Sequence, residues 1–565
     1  MIRSSHSHKH TQYPGHRILV IAVLCLFGIS LMAFAADKKR TRKKQVKDER
    51  VYLVHADELK YDMFGNNPDA QIVKGKVSFS HQGATLTCDS AFFYQESNSV
   101  QAFGHVHFRQ GDTLSLTCER ANYDGVEQMM RARKNVVLKH RSRTLYTDSL
   151  DYDRLYNNAY FFEGGRLVDG KDQLVSDWGE YNTETRKASF FFNVQMNSGD
   201  RKVLTDTLHY DTRTSVAHVV GPSTVVSETT TMNTNDGYFN TKTEQAQMYG
   251  RSTIVDQQKT ISGDSLFYDD ETGISEGFGN VVYVDKENHN ELDCGYMMYN
   301  QLTGYGYATK DALAKEFSQG DTLYVHADTL KLYTFNINTD SVYRRVHCYN
   351  KVRAYRPDMQ AVCDSLVFNS LDSCMTMYDN PIVWYGERQL FGEVIKVYMN
   401  DSTIRMAHVI GQAFSAEKCD ERRHFNQCAA NEMQAFFEDG FIRYGVATGN
   451  VQAAFYPVDD KDSTLMALNY AEMDTMRIFF SKERELEHIW GSHPKNGTWY
   501  PITQIPPARQ FLPQFAWFDR IRPVSRDDVF VWRGKSEAQK LKIVERHAAP
   551  LQKFDEAVTP VSADE

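Results

Sequence analysis

Proline is scarce in this chain, at 14 of 565 residues, and seven of those lie between Pro501 and Pro560. The region before residue 500 can therefore run as hydrogen-bonded backbone with few interruptions. Apolar stretches with a 3.6-residue period are almost missing from that region, which argues against a helical bundle. No C-x-x-C pair occurs among the nine cysteines, so zinc-ribbon and thioredoxin-type chemistry lack their ligand set. The glycine-rich nonapeptide of a calcium-binding β-roll is missing too. Net charge is −9, so no global basic surface points to nucleic acid. The 19 histidines are scattered, and no Ser-His-Asp or Cys-His set can be assembled from the sequence. The expectation is a protein that is not an enzyme and needs no cofactor and no metal.

Aromatic residues are plentiful, with 31 Tyr and 33 Phe, and this is strand composition. They fall in a repeat. An acidic or small polar anchor is followed by apolar residues two and four places later, and a Gly recurs about fifteen residues on. The clearest copies are His55-Ala-Asp-Glu-Leu-Lys-Tyr-Asp62, Tyr146-Thr-Asp-Ser-Leu-Asp-Tyr-Asp153, Leu204-Thr-Asp-Thr-Leu-His-Tyr-Asp211 and Ser262-Gly-Asp-Ser-Leu-Phe-Tyr-Asp269. The anchors are Asp57, Asp89, Glu119, Asp148, Asp177, Asp206, Asp236, Asp264, Gly295, Asp328, Asp364, Glu393, Asn431 and Asp474. Period-two alternation after each anchor predicts a strand with one buried face. A second strand follows in each unit, as in Gly75-Lys-Val, Gly104-His-Val, Gly279-Asn-Val and Gly449-Asn-Val. Segments such as Asn182-Thr-Glu-Thr185 and Asp211-Thr-Arg-Thr214 fit the turns between them. A fixed period near thirty residues means an elongated stack of equivalent units, roughly 70–130 Å long at one or two rungs per unit. A single anchor Asp reads as a turn cap.

The chain divides into five parts: 1–36, 37–50, 51–300, 301–500 and 501–565. Ile18 to Phe34 is an apolar run ending in Ala33-Phe-Ala35-Ala36, which reads as a signal peptide. An uncleaved membrane anchor is the alternative, favoured by the basic cluster Lys38 to Lys47 that follows. Either way the chain is exported. Residues 51–300 hold the regular repeats and 301–500 hold longer-looped copies. Residues 501–565 form a Pro- and aromatic-rich end that caps the last sheet edge or docks a partner, with a short helix expected from Ser536 to His547. Cys88–Cys118 and Cys419–Cys428 are candidate disulfides in an oxidising compartment, with buried free thiols as the alternative.

The doublet Ala56-Asp57-Glu-Leu59-Lys-Tyr61-Asp62 with Gly75-Lys-Val77 resembles the OstA/LptA-like family of organic-solvent-tolerance and lipopolysaccharide-transport proteins. Cys88-Asp89-Ser-Ala-Phe-Phe93 with Ala102-Phe-Gly104-His-Val106, and Asp264-Ser-Leu-Phe-Tyr268-Asp269 with Gly279-Asn-Val281, carry the same pattern. The resemblance covers about residues 50–490. It implies an all-β, elongated repeat β-jellyroll, two facing antiparallel sheets that form an open V-shaped groove. It implies a periplasmic bridge that binds the acyl chains of lipopolysaccharide. It further implies partners in an inner-membrane exporter complex and an outer-membrane assembly protein, and end-to-end self-association by strand pairing. The expected groove lining is Leu59, Tyr61, Leu150, Tyr152, Leu208, Tyr210, Leu266 and Tyr268. The alternatives are a structural or adhesive β-repeat protein of the envelope, or a β-solenoid carbohydrate enzyme. Residues 501–565 are too short for a transmembrane barrel.

Overall fold

The computed structural model describes residues 49–534, apart from 62, 66, 319, 401–402, 421–423, 460–463, 484 and 493–495. The expected signal segment, most of the basic linker and the helix expected at 536–547 lie outside the described residues.

The described chain is all-β. Its 36 strands join in one hydrogen-bonded network of antiparallel neighbours, each long strand pairing with those before and after it. Most strands of the first half run 11 or 12 residues, for example Ser99–Gln110, Leu114–Asp124 and Met129–His140. Each carries a bulge at its middle. Phe103 pairs with Arg120 and Val106 with Cys118, so Gly104 and His105 on one strand stand opposite the single anchor Glu119 on the next. Two residues against one bend a strand. The bend keeps one face turned inward: Leu116 and Cys118 are buried before it, Ala121 and Tyr123 after it. Repeated along the stack, these bends form a corner line that folds the network into two facing leaves.

The repeat spacing has a local cause. Asp124, Asp153, Asn182, Asp211, Asn240 and Asp269 succeed one another at intervals of 29 residues. Each side-chain oxygen accepts from backbone N–H groups two and three residues ahead, as Asp211 does from Arg213 and Thr214, and Asn240 from Lys242 and Thr243. These Asx turns reverse the chain at one edge of the stack. Stacked turns also bond to each other: Thr183 N–H donates to Asn157 O, Thr212 to Arg186 O and Thr241 to Ser215 O.

The inward residues of the first half form one core running from Val51 to Val225. Each buried Leu or Phe there contributes roughly 1.5–3 kcal/mol. Outward, a row of rings crosses the strands from Trp178 through Phe191, His209, His218 and Tyr238 to Tyr307, with neighbouring centroids 4.0–6.2 Å apart. Such cross-strand pairs pin register. Beyond residue 300 several strands split at the corner into short pieces, such as Tyr305–Thr309 with Leu313–Glu316 and Cys374–Tyr378 with Ile382–Tyr385. Among the described residues both ends of the stack leave strand edges without a further strand. Tyr52, Val54 and Met63 are exposed at one end, and Trp490 and Trp499 at the other.

A folded strap and an open window

The anchor carboxylates serve the corner. Asp89 accepts from His105 Nδ1 at 2.7 Å, Asp177 from Asn193 Nδ2 at 2.7 Å and Asp264 from Asn280 Nδ2 at 2.8 Å. Each partner has a left-handed backbone, with φ of +40° at His105, +53° at Asn193 and +45° at Asn280. Gly104 and Gly279 precede two of them at φ +73° and +67°, where a Cβ would run into Asp89 and Asp264. The recurring Gly and the recurring acid are thus two sides of one contact.

Opposite the corner lies the mouth between the leaves, and it changes along the stack. In the first half it is shut by polar contacts. Tyr123 Oη lies 2.6 Å from His81 Nδ1 and accepts from Arg154 Nη1 at 2.6 Å. Tyr181 Oη lies 2.8 Å from His140 Nδ1. Tyr210 donates to Asp172 at 2.9 Å, and the same carboxylate accepts from Thr241 Oγ1 at 2.8 Å. Arg143 pairs with Asp169 at 3.0 Å. Every tyrosine here sits four residues after an anchor. Its ring fills the core and its hydroxyl seals the seam. Burial, followed by the cations Arg141, Arg186 and Arg143, lowers the His140 pKa to about 4. Burial and the Asp172 and Asp169 charges raise that of Tyr210.

The seam ends near residue 245. Tyr268 occupies the position equivalent to Tyr210, yet its hydroxyl bonds to Asp270 of its own turn. From strand Thr230–Asn240 to strand Asn290–Asn300 the inward side chains Met232, Phe239, Ile261, Tyr268, Leu292 and Met297 are only half-buried. Among the described residues the trough is open there, and its wall is apolar.

Past residue 320 the trough is filled by the chain's own end. Residues 502–533 lie along the inner face of the second half and run back toward earlier strands. Gln427 Nε2 donates to Gln510 O at 2.9 Å, while its Oε1 accepts from Leu512 N–H at 2.9 Å. Gln389 grips the strap the same way, donating to Ala516 O at 2.8 Å and accepting from Phe518 N–H at 2.8 Å. Arg522 Nε donates to Gln360 at 2.7 Å. Arg353, 1% exposed, is paired with strap residue Asp528 at 3.5 Å, and Arg533 donates to the same carboxylate at 2.9 Å. The His326 and Phe530 rings meet at 4.7 Å. The strap therefore covers the inner face of the second half.

The eight expected lining residues separate into three groups. Leu59 and Tyr61 are exposed, at 57% and 56%, because the strand Glu58–Tyr61 has, among the described residues, a neighbour on one side only. Leu150, Tyr152, Leu208, Tyr210 and Leu266 are at most 1% exposed, packed inside rather than facing an open channel. Tyr268 stands at the open window. The sequence reading did not find the seam residues His81, His140 and Asp172, or the strap's partners Gln360, Gln389, Gln427 and Arg353. The signal available for them was polar residues recurring on inward positions. Cys88, Cys118 and Cys419 are free thiols, so neither candidate disulfide is formed. Burial raises the pKa of Cys88 and of Cys118 to about 11. The string Gly273-Ile-Ser275-Glu-Gly277 has the letters of a nucleophile elbow, but it leads from a turn into strand Ile274–Asp285 and no helix follows. Among the described residues no group of three or more His, Cys, Asp or Glu is placed to hold a metal. No described helix is long and apolar enough to cross a membrane.

No curated protein matches the chain. Among solved structures it is similar to the crystal structure of LptH from Pseudomonas aeruginosa, described as the LptA homologous periplasmic component of the conserved lipopolysaccharide transport device. The identity is 14%, the match covers 21% of this chain and 98% of that one, and the TM-score is 0.19. Residues 48–206 and 193–264 match the profile of the OstA-like protein family. Those residues, which carry the bulged corner, the Asx turns and the tyrosine seam, are the part of the chain that is similar to the OstA-like family.

Proposed function

We propose that this protein is a periplasmic, non-catalytic bridge for lipopolysaccharide transport to the outer membrane, and that it holds acyl chains against the apolar wall at residues 230–300. The observation that carries the reading is the opening of a two-leaf trough at that wall, within a chain whose residues 48–264 are OstA-like. A lipid with several acyl chains loses roughly 0.8 kcal/mol for every CH2 left in water, so a carrier must cover its tails. Met232, Phe239, Ile261, Leu292 and Met297 offer such cover, and the shut first half does not. The continuous groove expected from the repeat is replaced in this reading by one window. Its partners are an inner-membrane exporter complex and an outer-membrane assembly protein, reached through the uncovered strand edges at the two ends, where β-augmentation is available.

The test is lipid capture. Protein purified from a lipopolysaccharide-making host is expected to carry the lipid by mass spectrometry. Met297→Asp, on the inward face, should abolish capture, and Met298→Asp, one residue on and outward, should not. Protein that carries none and binds none in titration returns the chain to the structural or adhesive class. Equal loss in the two variants would show the lining assigned to the wrong face.

A further inference from the structure

One rung of the seam lacks its bond. Tyr123 meets His81, Tyr181 meets His140, and Tyr210 reaches Asp169 at 3.4 Å and Asp172 at 2.9 Å. Each partner lies 38–42 residues before its tyrosine. Tyr152 belongs to the same series, four residues after anchor Asp148, and is 0% exposed. Yet its buried hydroxyl has no hydrogen-bond partner. Gln110 holds the matching place, 42 residues earlier, but its Oε1 accepts from Arg154 Nε at 3.1 Å. Thr183 Oγ1, close by, donates to Asn157 O at 3.1 Å. A cleft of about 300 Å³ opens at this gap, and Gln110, Arg141, Tyr152, Thr183, Glu184 and Arg186 help to line it. Its charge is unbalanced. Arg141 N–H donates to Thr113 O and Arg186 N–H to Asn182 O, and among the described residues neither guanidinium has an ion pair. Arg143, the next cation, is already paired with Asp169. Glu184 is the one carboxylate among the lining residues, and it accepts from Asn157 Nδ2 at 3.3 Å. Arg141 also stands at φ +55° in a two-residue hairpin turn, where the next hairpins place Gly170 and Gly199.

Buried polar groups in folded proteins are partnered, so an orphan hydroxyl beside two unpaired guanidiniums calls for a ligand that accepts. Burial raises the Tyr152 pKa, so the phenol keeps its proton and donates. Guanidiniums bind oxyanions through paired N–H donors. A neutral ligand would leave the two charges unanswered, and an apolar one would strip water from them without return. We propose that this gap in the seam is a binding site for a phosphate group, held by Arg141 and Arg186 with the Tyr152 hydroxyl as the third donor. A phosphorylated lipid headgroup and a free phosphate present the same oxygens to it. The headgroup source rests on the lipid-transport reading, whereas the site itself does not.

The experiment titrates inorganic phosphate into the full-length protein at constant ionic strength, followed by the line width in phosphorus NMR. Saturable broadening is expected. Arg141→Gln and Arg186→Gln should each weaken binding several-fold. Tyr152→Phe should weaken it too, while its urea midpoint in phosphate-free buffer stays at the wild-type value, because the hydroxyl it loses has no partner. Arg131→Gln, a surface cation paired with Glu127, should bind as wild type does. Broadening that does not saturate, or that falls equally in all four variants, is general surface attraction and overturns the site. Phosphate binding kept in Tyr152→Phe overturns it, and so does a lowered midpoint, which would show the hydroxyl bonded within the protein. Lipid A and its dephosphorylated form then separate the sources. Phosphate displaced by lipid A and not by the dephosphorylated form identifies a headgroup, and phosphate that neither displaces identifies a free phosphate. Lipid captured by protein that binds no phosphate removes the site and leaves the transport reading standing, whereas phosphate bound by protein that captures no lipid keeps the site and sinks transport.

Discussion

The two halves of this molecule solve one problem in opposite ways. A folded β-network with apolar inner faces must keep them from water. Residues 70–225 do so by closing the mouth on itself, with tyrosine hydroxyls and buried His and Asp meeting across it. Residues 320–480 leave the leaves apart and lay residues 502–533 between them, held by two glutamines and a buried Arg–Asp pair. The first solution is local, since each seam contact repeats with the unit. The second depends on one segment that arrives after every strand it covers has been made. The difference teaches that equivalent repeats do not imply an equivalent interior. The open window lies where one solution has ended and the other has not begun.

The sharpest way to break this comparison is to remove the strap's buried charge. In Asp528→Ala, Arg353 is left buried without its ion pair, which costs about 3–5 kcal/mol. Hydrogen exchange should then rise across the strands between residues 323 and 470 and stay slow in the first half. Uniform destabilisation of both halves would show that they fold as one unit and that the contrast is only geometric.

A smaller effect comes from the corner, which both halves share. Gly104→Ala places an L residue at φ +73°, costing about 1–2 kcal/mol, and its Cβ must also push Asp89 aside. Gly83→Ala meets the same backbone cost at φ +78°, with open space around the new methyl. Denaturant midpoints should therefore order wild type, Gly83→Ala and Gly104→Ala from most to least stable. Equal midpoints for the two variants would remove the carboxylate from the corner's function.

The seam is worth less at any single rung. Tyr181→Phe removes one hydroxyl from His140 and should cost about 0.5–1.5 kcal/mol, confined to the first half. Tyr268→Phe should cost less, since that hydroxyl bonds to Asp270 of its own exposed turn and not across the seam to a buried histidine. A reversal of this order in urea titrations would move the seam's end beyond residue 245.

These contrasts mark what the sequence could and could not convey. Period and alternation depend on neighbours along the chain and across one strand pair. That is why the anchors, the turns at Asn182 and Asp211, and the inward positions of Leu150, Tyr152, Leu208 and Tyr210 were legible. Whether an inward position faces lipid, a seam or a strap is decided by residues far along the chain, such as His81 for Tyr123, 42 positions away, or Asp528 for Arg353, 175 positions away. No periodicity encodes that. Leu59 and Leu208 share one motif, yet one is exposed on the first strands of the stack and the other lies in a packed core. For the same reason Leu208→Asp would bury a carboxylate and unfold its unit instead of reporting on a groove.

The seam also responds to acid. His140 is buried against Tyr181, with Arg141, Arg186 and Arg143 nearby, and its pKa falls to about 4 from the usual 6.5. In the unfolded chain the same imidazole takes up a proton near pH 6.5. Between these values the unfolded state binds more protons than the folded one, so stability falls as pH falls through this window. The second half has its own buried imidazole, His326, whose pKa is also lowered by burial. Acidification from pH 7 to 4.5 should therefore loosen both halves. His140→Gln, which keeps a polar partner for Tyr181 but cannot charge, should flatten the acid response of the first half alone. If the first half of that variant still weakens as wild type does, another group carries the proton and the seam histidine is a bystander.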